Sequence, residues 1–154
     1  MTSGEWIRFL NIDYSPDRHR NTGGLSYKIE GDLLYLGGVA PIGGDGKLAY
    51  TGKLGAELTA EEGYKAARLS GFYALRLMKD ALGSLDKVDY VVKSLVLVSG
   101  APGFDKIYDV ADGFSDILTE ALGERGLHAR NAVGANVLNG NAPVICDAII
   151  KIKE

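Results

Sequence analysis

The stretch His128–Lys151, HARNAVGANVLNGNAPVICDAIIK, decides how the chain is read. Two strand-like runs, residues 128–137 and 144–151, flank LNGNAP, whose Asn, Gly and Pro residues form turns. The first run carries Arg130, a cation that a strand does not need and that belongs at a surface by default. Paired as a hairpin about Gly140, the runs set Arg130 opposite a position near Ile150 and bring it to Asp147 only diagonally. Such a contact is either an inter-strand ion pair worth less than about 1 kcal/mol, or an arginine aimed into a cleft. In the cleft, its planar fork would bind a carboxylate. Alternation puts Asp147 on the face of Ile145, and His128, otherwise a loop-edge histidine, on the face of Arg130.

Working outward, LSYKIE alternates Leu25, Tyr27 and Ile29 with polar neighbours. Gly31-Asp32 turns the chain, and LLYLGGVAP returns as a more apolar strand, completing a hairpin. Residues 1–24 read as an irregular arm in which Trp6 and Phe9 anchor the segment or cap a neighbouring subunit. A short edge strand is expected near Lys47–Tyr50. Thr59 followed by Glu62 is a capping box, so a helix is expected to about Leu82, ended by Gly83. Its stripe of Ala67, Gly71 and Ala74 suits close packing against a sheet. Val88–Val98 reads as a central strand, and Val110, Phe114, Ile117, Leu118 and Ala121 trace a second helix closed by Gly123 and Gly126. The order is β-β-α-β-α-β-β, an α+β domain spanning residues 1–154. Two helices leave the other face of a mixed sheet to be covered, most simply by further copies of the chain.

Composition narrows the function. Apolar residues make up 46% and charged residues 24% of the 154 residues, ordinary values for a globular protein. The formal net charge is −3, with no long basic run, so nucleic-acid and anionic-membrane partners are not expected. One cysteine, Cys146, fits a reducing compartment. The absence of a signal-like start and of an 18-residue apolar run makes a cytoplasmic protein the expectation. His19, His128 and Cys146 lack metal-ligand spacing, no GxGxxG or P-loop is present, and no cofactor is expected. Ser99 lacks a nucleophile elbow, and a mid-strand cysteine is usually a small hydrophobe.

The runs GGVAP, GKLGAELTAEEGYKAARLS, LGSLDKVDYVVKSLVLV and HARNAVGANVL with APVICDAIIKI resemble the Rid (YjgF-like) family across about residues 20–152. Its members include reactive intermediate deaminases, formerly called endoribonuclease L-PSP, and the fit is closest to a longer-chain subgroup. The resemblance implies a chorismate-mutase-like α+β fold and a homotrimer with clefts between subunits. It also implies an arginine, here Arg130, that clamps the carboxylate of an enamine or imine, as in 2-iminobutanoate/2-iminopropanoate deaminases. The backbones of Gly38 and Ala132 would face the ligand, and a cleft Asn of the second helix falls near Asp112. Tyr108, in the lengthened segment before that helix, is a further cleft candidate.

Three departures accompany the match. Ile145 replaces the family acid, Gly37 a Ser or Thr, and Gly24 a Tyr. Asp147 is therefore the candidate acid/base group beside Arg130. The alternative to an imine hydrolase is a divergent or non-enzymatic trimer that binds a small carboxylate. An RNA-cleaving role comes only from the older family label, and an acidic chain without a basic stripe argues against it.

Overall fold

The computed structural model describes residues 20–21 and 24–154. Most of the expected N-terminal arm, with Trp6, Phe9 and His19, lies outside the described residues. Its described end is not irregular: β1 (Arg20–Asn21) pairs antiparallel with β2 (Gly24–Leu25). The hairpin follows as β3 (Tyr27–Glu30) and β4 (Leu33–Leu36), joined through Gly31 at φ 59°. No strand forms at 47–50; Leu48 makes only an isolated bridge to Ile42.

Helix α1 (Ala60–Leu82) starts on the expected capping box. The Glu62 amide donates to Thr59 Oγ1 at 3.2 Å, and Glu62 Oε2 accepts from the Thr59 amide at 2.8 Å. Such a cap stabilises a helix by about 1 kcal/mol. Gly83, at φ 80°, ends it in the left-handed conformation. Strand β5 (Val88–Ser99), helix α2 (Ile107–Leu122), strand β6 (Ala129–Ala135) and strand β7 (Val144–Ile152) complete the chain.

The five main strands are ordered β3-β4-β7-β5-β6. This corrects the expected closing hairpin. β6 runs parallel to β5 and does not pair with β7, which enters between β4 and β5 and is antiparallel to both. Two physical reasons favour this order. A strand–helix–strand connection through α2 delivers β6 parallel to β5. The more apolar run, β7, gains most from a central place: Val144, Cys146, Ala148 and Ile150 are all buried, whereas no residue of β6 is fully buried.

Both helices pack on one face of this sheet, over Leu34, Leu36, Val96, Val98 and the buried residues of β7. The small-residue stripe does more than approach the sheet. A Cβ on Gly71 would lie 2.2 Å from Ile117 Cγ2, and one on Gly113 2.1 Å from the Tyr64 carbonyl oxygen, so α1 and α2 touch each other through glycines. The opposite face presents Leu95, Leu97, Ile145 and Ile149, partly exposed, around Asp147. No helix of the described residues is long and apolar enough to cross a membrane.

Candidate functional site

Register decides which candidate residues can meet. Ser94 pairs with Arg130 on one side and with Ala148 on the other, while Leu95 pairs with Asn131 and Asp147. Paired residues share a face, so Arg130 points to the helix side with buried Ser94 and Ala148, and Asp147 to the opposite side. The expected diagonal contact between Arg130 and Asp147 does not exist, because β5 lies between their strands and they face opposite ways. Burial raises the Asp147 carboxyl above its ordinary value, with the Leu95 backbone and Lys93 working against the shift.

On the helix side, Arg130 meets α2. Its Nη1 donates to Asp112 Oδ1 at 2.8 Å and to Ser115 Oγ at 3.1 Å. Its guanidinium carbon lies 5.8 Å from the centre of the Tyr108 ring, a cation–π distance. Tyr108, Asp112 and Ser115 lie on one face of α2 because they are spaced by four and three residues. The Arg130 side chain is 19% exposed and Asp112 53%, so the ion pair sits at the mouth of a recess. That recess, of about 410 Å³, is lined by Tyr108, Ser115, Thr119, Leu127, His128 and Arg130. It takes an anion of a few heavy atoms with ease, and its cation already holds one internal carboxylate.

The structure thus gathers Arg130, Asp112 and Tyr108, and leaves the other candidates elsewhere. Ala132 shares the face of Arg130 but packs half-buried against the core. Gly38 follows β4, where Val39 bridges Cys146 of β7, and a Cβ on it would lie 2.9 Å from Ile145 Cγ2. Its segment is three strand spacings from β6, about 14 Å. Gly37 suits its place: a Cβ there would come 3.0 Å from the Leu25 carbonyl oxygen, a contact so tight that the family Ser or Thr needs its neighbour to give by a few tenths of an ångström.

Two side chains of the recess carry chemistry that the sequence did not reveal. His128 Nδ1 lies 2.6 Å from the Gly126 carbonyl and its Nε2 lies 3.1 Å from Ser115 Oγ. Burial foremost, and then the Arg130 charge, hold the imidazole below its ordinary value of 6.5, with the Gly126 carbonyl opposing. The only available signal was His128 sharing the face of Arg130. Ser115, inside a helix and 13 residues away, had none. Cys146 is fully buried, and burial raises its thiol far above the ordinary range, so it remains a hydrophobic thiol.

Comparison with known proteins agrees with the fold. Residues 21–150 match the family described as "YjgF/chorismate mutase-like, putative endoribonuclease". Protein TCP17 of Trypanosoma cruzi is 40% identical over 134 residues, covering 84% of this chain and 81% of TCP17. The structure of Atu1372 from Agrobacterium tumefaciens, a protein of unknown function, superposes with a TM-score of 0.88 at 33% identity, covering 99% of this chain and 94% of that one. RidA from an Antarctic Psychrobacter, at 19% identity, superposes with a TM-score of 0.61 over 90% of this chain and 97% of RidA, and shares the fold. With a family match across five strands and two helices, the chain belongs to the YjgF/chorismate-mutase-like, or Rid, family.

Proposed function

We propose that the protein hydrolyses a small carboxylate-bearing enamine or imine to the keto acid and ammonia, with Arg130 holding the carboxylate. The observation that carries this reading is the recess itself: a guanidinium of which only Nη1 is hydrogen-bonded among the described residues, walled by Tyr108, above 410 Å³ of open space. A planar fork with free N–H groups fits a carboxylate bidentately. Imines hydrolyse readily once oriented, so binding and placement of water supply much of what is needed.

The separation of Gly38 from Arg130 bears on assembly. About 14 Å across the sheet is too far for one small ligand to touch both within a chain. A homotrimer that brings the Gly38 segment of one copy to the Arg130 edge of another completes the cleft. β6 is an edge strand, and the partly exposed face around Leu95, Leu97, Ile145 and Ile149 gives copies an apolar surface to share. The second reading, a trimeric carboxylate-binding protein without turnover, is favoured by one observation: Ile145, not an acid, lies beside Gly38.

Release of ammonia and keto acid from freshly generated 2-iminopropanoate tests the proposal. Release above the uncatalysed rate supports it. Thermal stabilisation by pyruvate without turnover favours the binding reading. Asp112 competes with the ligand for Arg130, so Asp112→Asn is expected to tighten pyruvate binding by up to about fivefold, the weight of one half-exposed ion pair. Calorimetric titration of both proteins at equal ionic strength checks this, and unchanged or weaker binding would contradict it.

A further inference from the structure

His128, Ser115 and Arg130 form a chain of hydrogen bonds with a defined direction. The Gly126 carbonyl can only accept, so the proton of the neutral imidazole sits on Nδ1, and Nε2 is left to accept. The Ser115 hydroxyl therefore donates to Nε2 at 3.1 Å while its oxygen accepts from Arg130 Nη1 at 3.1 Å. The hydroxyl proton points at a base, and charge developing on the oxygen faces a guanidinium. The ring is held by packing: a Cβ on Gly126 would lie 2.3 Å from the Leu118 carbonyl oxygen, so the turn that presents the Gly126 carbonyl is pressed against α2. Both side chains open on the recess that holds Arg130.

We propose that Ser115 and His128 are the proton-handling pair of the Arg130 recess, taking a proton from the water that attacks a bound 2-imino acid. This rests on the imine-hydrolysis reading above. Water oxygen bonds to the carbon of the protonated imine, and the C=N π pair moves to nitrogen. The water proton passes to Ser115 Oγ as the Ser115 proton passes to His128 Nε2. The imidazolium returns its proton through Ser115 to the amine nitrogen of the carbinolamine. The C–N bond then breaks with its electron pair leaving on ammonia, the C=O bond forms, and the remaining hydroxyl proton goes to ammonia. Imine, water and proton thus become keto acid and ammonium, with no oxidant or reductant. Asp147, on the far side of the sheet from Arg130 within the chain, has no part in this relay.

The groups that face His128 are the Arg130 guanidinium from β6, the Ser115 hydroxyl from α2 and the Gly126 carbonyl from the turn. Beyond Arg130 lies the Asp112 carboxylate, also on α2. The relay needs a neutral imidazole, so the rate falls as pH drops through the lowered value of His128, below 6.5.

The test is ammonia release from a freshly generated 2-imino acid between about pH 5 and about pH 8, for wild type, Ser115→Ala, His128→Ala and His128→Asn. His128→Asn keeps an N–H donor for the Gly126 carbonyl and removes the basic nitrogen, which guards against a simple folding defect. Each variant is expected to lose about 100-fold in kcat with KM within about twofold, and both His128 variants to lose the acid limb of the profile. Pyruvate should still raise their thermal midpoints, since Arg130 is intact. Near-wild-type kcat with an unchanged acid limb in His128→Asn overturns the pair alone. A wild type without turnover overturns the imine reading and the pair with it.

Discussion

Arg130→Ala is expected to reduce kcat/KM for a carboxylate-bearing imine by about 100-fold or more and to abolish stabilisation by pyruvate. A charge-assisted hydrogen bond is worth about 1.5–3 kcal/mol, and a bidentate pair supplies two of them. Two such bonds correspond to about 3 kcal/mol at the low end, or a factor above 100. Arg130→Lys keeps the charge but loses the fork, and should fall between wild type and Ala. The loss will not come from unfolding. The partner of Arg130, Asp112, is 53% exposed, so removing the ion pair costs less than about 1 kcal/mol of stability. Urea denaturation without ligand, at fixed protein concentration, separates the two effects. Equal rates for wild type and Arg130→Ala would sink the carboxylate-clamp assignment and return Arg130 to the role of a strand arginine paired with Asp112.

Gly113→Ala is expected to destabilise the fold by about 3 kcal/mol or more, a large effect for one methyl group. The added Cβ would lie 2.1 Å from the Tyr64 carbonyl oxygen, 3.0 Å from its carbon and 3.1 Å from the Arg68 nitrogen. These are backbone atoms of α1, and no rotamer change can move them aside. The helices must separate, which loosens the core around Phe114, Ile117 and Leu118. Separation also strains the Tyr64–Asp116 hydrogen bond of 2.8 Å and the Arg68–Glu120 pair, whose contacts are 2.8 and 2.5 Å. Gly71→Ala should cost less, because its nearest obstacle, at 2.2 Å, is a side-chain methyl of Ile117 rather than the backbone of the facing helix. Gly44 has nothing within 4 Å, and Gly44→Ala should fall within about 0.5 kcal/mol of wild type. A denaturation series that failed to rank Gly113, Gly71 and Gly44 in that order would contradict the glycine-mediated contact. Tyr108, Asp112 and Ser115 ride on α2, so the Gly113 variant should also weaken pyruvate binding.

Most elements were legible because their signals are local. A capping box and a glycine fixed α1, alternation marked β3, an apolar run after the LNGNAP turn marked β7, and a Val-rich run marked β5. Arg130 stood out because a cation in a strand-like run asks for a partner. The true partners did not stand out. Asp112 is expected through the family resemblance only as the place of a cleft Asn, not as the ion-pair partner of Arg130. Ser115 and His128 meet only because α2 crosses back over the β6 edge, and no spacing encodes that meeting. Gly113 reads as a weak point of a helix until the Tyr64 carbonyl of another helix is seen against it.

By itself, the sequence determined the kinds and order of the main elements, the caps, the alternating faces of each strand and the arginine around which the proposed site is built. Tertiary structure decided which strands are neighbours, and with that which residues can act together. Alternation assigns each side chain a face but does not say which strand lies beside it. The crossover through α2 set β6 parallel to β5, and burial drew the apolar β7 between β4 and β5. Within one chain, that insertion removed Asp147 from the reach of Arg130 and left the arginine facing α2, where Asp112, Ser115 and His128 are its company.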